Sequence, residues 1–92
     1  MIKIKFYSLI RIHLEINEVE IEADSITIYD LFLKTEQQIG KKFLYLLIDE
    51  NKQIIPSTII LINGRNVFHL DKLNSLVVCN DEISIFPPGG GG

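Results

Sequence analysis

One segment of this chain has a clean helical period, and nearly everything around it has the period of a strand. Thr27 stands where a helix N-cap would, with Asp30 three residues on to complete a capping box and favour the positive end of the dipole. Ile28, Leu31, Phe32, Thr35 and Ile39 then share one face. Gly40 is placed to end the helix, followed by Lys41 and Lys42. Before it, Ile2, Ile4 and Phe6 alternate with Lys3, Lys5 and Tyr7, and Val19, Ile21 and Ala23 alternate with Glu18, Glu20 and Glu22. Each reads as a half-buried strand with a charged wet face. After it, Thr58-Ile59-Ile60-Leu61-Ile62 is a strand apolar on both faces, so both need cover. Asn63-Gly64 is a hairpin turn, with Val67 and Phe68 on the returning strand. Asn80-Asp81 is a turn, and Glu82 to Phe86 is the last strand, stopped by Pro87 and Pro88.

Other stretches are less determined. Between Ser8 and Asn17, the residues Leu9, Ile10, Ile12, Leu14 and Ile16 fit a helical turn and a strand equally well. Phe43 to Ile48 is apolar, Asp49 to Lys52 is turn-like, and Pro56 interrupts the run that follows. Leu70 to Leu73 reads as a short helical turn.

The order is strand, strand, helix, strand, strand, strand. One helix on a mixed sheet is a two-layer α+β domain. If the first and last strands lie side by side in parallel, the helix becomes their crossover cover. That arrangement is a β-grasp, with about five strands and one main helix over residues 1–88, and residues 89–92 form a flexible glycine tail.

Composition excludes several classes. A chain of 92 residues makes one domain with one core. A net charge of −3 gives no electrostatic case for nucleic acid. One cysteine allows no internal disulfide and no cysteine metal cluster. The longest apolar runs are about six residues, short of a membrane span, so no membrane partner is expected. Alternation from Met1 onward is a strand and not a signal peptide, which makes the cytoplasm the expected compartment. His13 and His69 lack ligand partners at metal spacing, and Cys79 reads as a structural thiol. The sequence offers no catalytic constellation and no metal site.

The chain closes on Phe86-Pro87-Pro88-Gly89-Gly90-Gly91-Gly92. Glycines without side chains can thread a slot too narrow for other residues, leaving a terminal carboxylate as the only functional group presented. Four of them extend roughly 13–14 Å. The proline pair fixes an extended exit and lowers the entropy lost on threading.

Four stretches together give a whole-chain resemblance. They are Met1 to Phe6 with Arg11 behind it, Thr27-Ile28-Tyr29-Asp30-Leu31-Phe32, Ile62-Asn63-Gly64-Arg65, and Asn80-Asp81-Glu82-Ile83 running to Phe86-Pro87-Pro88 and the last Gly pair. The sequence resembles the small subunit of molybdopterin synthase, in the ubiquitin-like sulfur carrier family that also includes the ThiS-like proteins. It departs in having Ile12 where glutamate commonly follows the arginine, and Gly89-Gly90 where other residues usually intervene.

The resemblance implies that an E1-like enzyme uses ATP to adenylate Gly92, and that sulfide then yields a thiocarboxylate. The carrier itself binds no cofactor and supplies no catalytic group. Gly89, Gly90, Gly91, Pro87 and Pro88 would thread the tail. Arg11, Phe86, Ile60 and Ile62 would contact partners: the adenylating enzyme and the large subunit of molybdopterin synthase. The alternatives are a protein modifier or a tRNA-thiolation carrier using the same activation, and a non-catalytic interaction domain. A further expectation concerns Ile59 to Ile62. One helix covers one sheet face, so the other face is covered by Phe43 to Ile48 or left for a partner.

Overall fold

The computed structural model describes residues 1–89. Along the chain run β1 (Ile2–Phe6), α1 (Ser8–Leu14), β2 (Glu18–Ile21), β3 (Ser25–Thr27), α2 (Ile28–Ile39), β4 (Ile59–Ile62), β5 (Arg65–Asn66), β6 (Leu76–Val78) and β7 (Glu82–Phe86). Five strands form one mixed sheet in the order β2-β1-β7-β4-β5. β1 and β7 pair in parallel at its centre, with Ile4 opposite Ile83 and Phe6 opposite Ile85. β2 and β4 flank them antiparallel. This is the β-grasp arrangement expected from the strand order.

α2 forms for the reasons legible in its sequence. Thr27 is the N-cap, and its Oγ1 accepts the Asp30 N–H at 3.2 Å. Gly40 caps the other end at φ 75°, donating its N–H to the Glu36 carbonyl. Ile28, Leu31, Phe32 and Thr35 are buried. The Thr35 hydroxyl donates to the Leu31 carbonyl at 2.7 Å, which satisfies it inside the core.

Phe43 to Ile48 packs on the helix side of the sheet and leaves the other face open. The Phe43 ring lies 5.5 Å from both Phe6 and Phe32 and is fully buried. Glu36 holds this segment in place: its Oε2 accepts the N–H groups of Phe43 and Leu44 at 2.8 and 2.9 Å.

Several elements differ from the sequence reading. Ser8 to Asn17 resolves into a second helix, α1, whose Ile10 and Leu14 are buried at helical spacing. The returning hairpin strand ends at Asn66. The Asn66 Oδ1 accepts the Phe68 N–H at 3.0 Å and starts a 3₁₀ turn at Val67–His69, so Val67 and Phe68 are not strand residues. β2 stops at Ile21, short of Ala23, and β4 begins at Ile59. β3 and β6 form a separate two-stranded sheet where Asp24-Ser25 reads as a plain break.

The Asn63-Gly64 turn has φ 50° and 84°, the doubly left-handed geometry that this dipeptide favours. Asn63 also bonds across the fold. Its Nδ2 donates to the Asp81 Oδ1 at 2.8 Å, and its Oδ1 accepts the Glu82 N–H at 2.9 Å. The Asp81 Oδ2 accepts the Val78 N–H, so one side chain ties the hairpin to the start of β7.

Phe43→Ala removes a fully buried ring that joins β1, α2 and the following segment. It should cost about 3–5 kcal/mol, read as a lower midpoint in urea unfolding with the slope unchanged.

Candidate functional site

The site is built at the end of the sheet where β1 and β7 both finish. Because the two strands are parallel, Tyr7 and Phe86 leave the sheet side by side. Their rings stack at 4.4 Å with an interplanar angle of 8°. The Tyr7 N–H donates to the Ile85 carbonyl at 3.1 Å, carrying the pairing one residue past the strand. Pro87 and Pro88 follow, both half-buried. The exit is not extended throughout: Pro88 and Gly89 lie in a turn, and Gly89 has φ 67°. Pro-Gly is itself a turn signal, because Gly admits the left-handed conformation. Gly90, Gly91 and Gly92, which carry the threading and attachment roles expected from the sequence, lie outside the described residues.

Strand phase decides which residues face outward. Ile60 and Ile62 point into the core, 0% and 7% exposed, and cannot be the partner contacts expected of them. The outward positions of β4 are Ile59, 41% exposed, and the half-buried Leu61. Ile59 is opposite Phe86 and Leu61 opposite Ser84. Phe86, Tyr7, Ile59 and Leu61 therefore make an apolar area on the open face, next to the tail. Further across, the same face is ionic. Lys5 meets Glu82 at 3.1 Å and Lys3 meets Glu18 at 3.8 Å. The Glu82 hydrogen bond and charge raise the Lys5 pKa above its usual value.

Arg11 is exposed on α1 and has no ion pair among the described residues. Sequence reasoning included Ile59 in the strand whose second face was left for a partner, and it missed Tyr7, Leu9 and Ile12. The last two are the exposed apolar side of α1, and Ile12 is the very position that departs from the family's glutamate. Cys79 is exposed at the opposite end of the sheet from the tail, where its sulfur accepts a hydrogen bond from the Met1 amine at 3.1 Å. That bond is the main cause of a raised Met1 amine pKa. His13 presents Nε2 to the Lys42 carbonyl at 3.2 Å, with its ring edge against Tyr45. Among the described residues no three His, Cys, Asp or Glu side chains are grouped to hold a metal ion. No described helix is long and apolar enough to cross a membrane.

The body is a β-grasp with an apolar area where the chain leaves the sheet at Phe86, which is the class of small ubiquitin-like domains. The ThiS family model matches residues 4–92. A provisionally named sulfur carrier protein of Archaeoglobus fulgidus is 33% identical over 85 residues, covering 90% of this chain and 96% of that protein. The chain therefore belongs to the ThiS family, in the group of ubiquitin-like sulfur carriers. The solution structure of small archaeal modifier protein 1 from Methanosarcina acetivorans is 29% identical, with a TM-score of 0.74 over 99% of this chain and 95% of that one. A chain of the Amycolatopsis orientalis BexX/CysO complex shares the fold at 16% identity, with a TM-score of 0.79 over 100% of both chains. The protein is a ThiS-like sulfur carrier or ubiquitin-like modifier, and not an enzyme.

The Tyr7–Phe86 stack should be an energetic unit. In a double-mutant cycle of Tyr7→Ala and Phe86→Ala, urea unfolding should give a coupling of about 0.5–1.5 kcal/mol. A coupling near zero would mean that the rings are adjacent without holding the exit.

Proposed function

We propose that this protein carries sulfur as a thiocarboxylate on Gly92 and delivers it in the synthesis of molybdopterin. The observation that carries the reading is the exit itself: a proline pair leaves the sheet beside an apolar area and leads into glycines, within a ThiS family match that runs to residue 92.

The chemistry follows from the carboxylate. It is a poor electrophile. A Gly92 carboxylate oxygen attacks the α-phosphorus of ATP, pyrophosphate leaves, and the acyl adenylate has a carbonyl open to attack. Hydrosulfide then displaces AMP and leaves the thiocarboxylate. An E1-like enzyme holds the ATP and performs the activation, and the carrier binds no cofactor. The slot that receives the tail admits glycine, and Gly91 would sit at its narrowest part.

The partner at delivery is a larger subunit that owns the pterin pocket. This chain has two arginines, Arg11 and Arg65, and no glycine loop between a strand and a helix to cradle a phosphate. The open-face area of Tyr7, Phe86, Ile59 and Leu61 docks the two bodies while the tail supplies sulfur. Arg11 gives a charged contact at the margin.

A second reading is a protein modifier, favoured by the 29% identity to the Methanosarcina modifier protein. Activation is the same, and the adenylate, or a thioester formed from it, is then attacked by a lysine amine. Intact mass of the protein from its native cell separates the two. Sulfur in place of one terminal oxygen identifies the carrier, and isopeptide adducts on other proteins identify the modifier.

Deleting Gly92, or adding one residue after it, should abolish ATP-dependent activation while leaving the melting temperature unchanged. Gly91→Val should do the same through a clash in the slot. Activation of the extended protein at the normal rate would refute the terminal role. Calorimetry of the isolated protein with a pterin phosphate should show no saturable binding. Tight binding without a partner would move the chemistry onto this chain.

A further inference from the structure

A groove of about 500 Å³ lies where β7 begins, at the opposite end of that strand from the proline pair. Its apolar lining is Ile62, Leu70 and Leu76. Ile62 is buried, whereas Leu76 is 61% exposed and stands as a ridge beside the hollow. Asn63 and Asp81 also line the groove, but their side chains are bonded to each other, and the second Asp81 carboxylate oxygen accepts the Val78 N–H.

Two charged side chains on the same lining are not so engaged. Arg65 and Asp71 are both exposed, and neither has an ion-pair partner among the described residues. They do not pair with each other across the groove either. The backbone fixes the place of each. Arg65 follows the Asn63-Gly64 turn and lies opposite Ile62. The Asp71 N–H donates to the Oγ of the buried Ser75 at 2.9 Å. One cation, one anion, one apolar ridge and one hollow thus share a single patch.

We propose that two copies of this chain associate through this patch about a two-fold axis, Leu76 of each entering the hollow of the other while Arg65 of each meets Asp71 of the other. The pattern selects a second copy as the occupant. A two-fold contact sets one patch against itself, so that patch must carry both halves of every interaction it makes. An axis normal to the groove, between Arg65 and Asp71, brings each cation onto the other copy's carboxylate. It also brings each ridge towards the other copy's hollow. The open sheet face lacks this property, because its charges are already paired within the chain. A net charge of −3 on each copy opposes association. The patch is also small beside a standard interface, so the dimer is weak, with a Kd on the order of 0.1 mM. Both proline exits stay clear, because each leaves from the end of β7 away from the contact.

The test is sedimentation equilibrium of the full chain from about 10 µM to about 1 mM. The unaltered protein should pass from monomer towards dimer across that range. Arg65→Glu and Asp71→Lys each turn two attractive pairs into two repulsive ones, since every pair occurs twice in a two-fold dimer. Each variant alone should weaken the dimer by about tenfold or more and leave the melting temperature of the monomer unchanged. An equimolar mixture of the two variants should associate within about threefold of the unaltered chain, because one copy then presents two carboxylates and the other two cations. Leu76→Ser, at an exposed position, should weaken the dimer by about tenfold without any change of charge. An unaltered chain that stays monomeric at about 1 mM overturns the inference. So does a dimer that the three variants, all folded, leave unaltered, or a mixture that associates no more tightly than its components.

Discussion

The parallel pairing of β1 with β7 is the constraint on which the rest of this structure depends. Parallel neighbours cannot be joined by a tight turn, so everything between residues 6 and 82 must serve as their connection. α2 lies over that crossover and buries Ile28, Leu31 and Phe32 against the inner phase of both strands. Parallel strands also end at the same edge. That places Tyr7 beside Phe86 and starts α1 and the proline pair from one point. At the far edge the Asn63–Asp81 bond fixes where β7 begins. The length of β7 then sets how far the proline pair stands from the sheet.

What could be read from the sequence was whatever a local pattern decides. β1 alternates without exception, α2 has a cap, a face and a terminator, and Asn63-Gly64 has the one turn type its residues favour. α1 could not be distinguished from a strand because Leu9 and Ile12 are apolar where a solvent-facing helix would be polar. The same fact that hid the helix marks the surface it exposes. β3 and β6 were missed because three-residue strands have no periodicity to read, and their pairing joins residues about fifty apart. The phase of β4 was undecidable from Ile59-Ile60-Leu61-Ile62 alone. Its neighbour resolves it: Ile83 and Ile85 face the core, and Ile62 and Ile60 lie opposite them. A strand that is apolar on both faces takes its orientation from its partner.

The motifs that carried the family resemblance divide into two kinds. Thr27 with Asp30, Asn63-Gly64 and Asn80-Asp81 are all occupied in holding the fold, through a helix cap, a left-handed turn and the clamp between two loops. They identify the scaffold and say nothing about what the tail does. Only the proline-glycine exit and the apolar positions around it bear on chemistry. For this reason a sulfur carrier and a protein modifier can share one body: the residues that hold the fold do not select the fate of the tail.

A carrier of either kind must leave each protein it visits, and in the proposed role the open face would suit that. Its apolar part is confined to Tyr7, Phe86, Ile59 and Leu61, while Lys3–Glu18 and Lys5–Glu82 occupy the remainder with pairs already satisfied within the chain. Exposed pairs such as these contribute at most about 1 kcal/mol each, and a partner gains little by displacing them. An interface built on four apolar side chains is small beside the roughly 800 Å² per partner of a standard stable complex. In the proposed carrier role, the tail would therefore have to supply much of the binding. On that proposal the contact would be strong only while the terminus is engaged, and release of the terminus after reaction would weaken it.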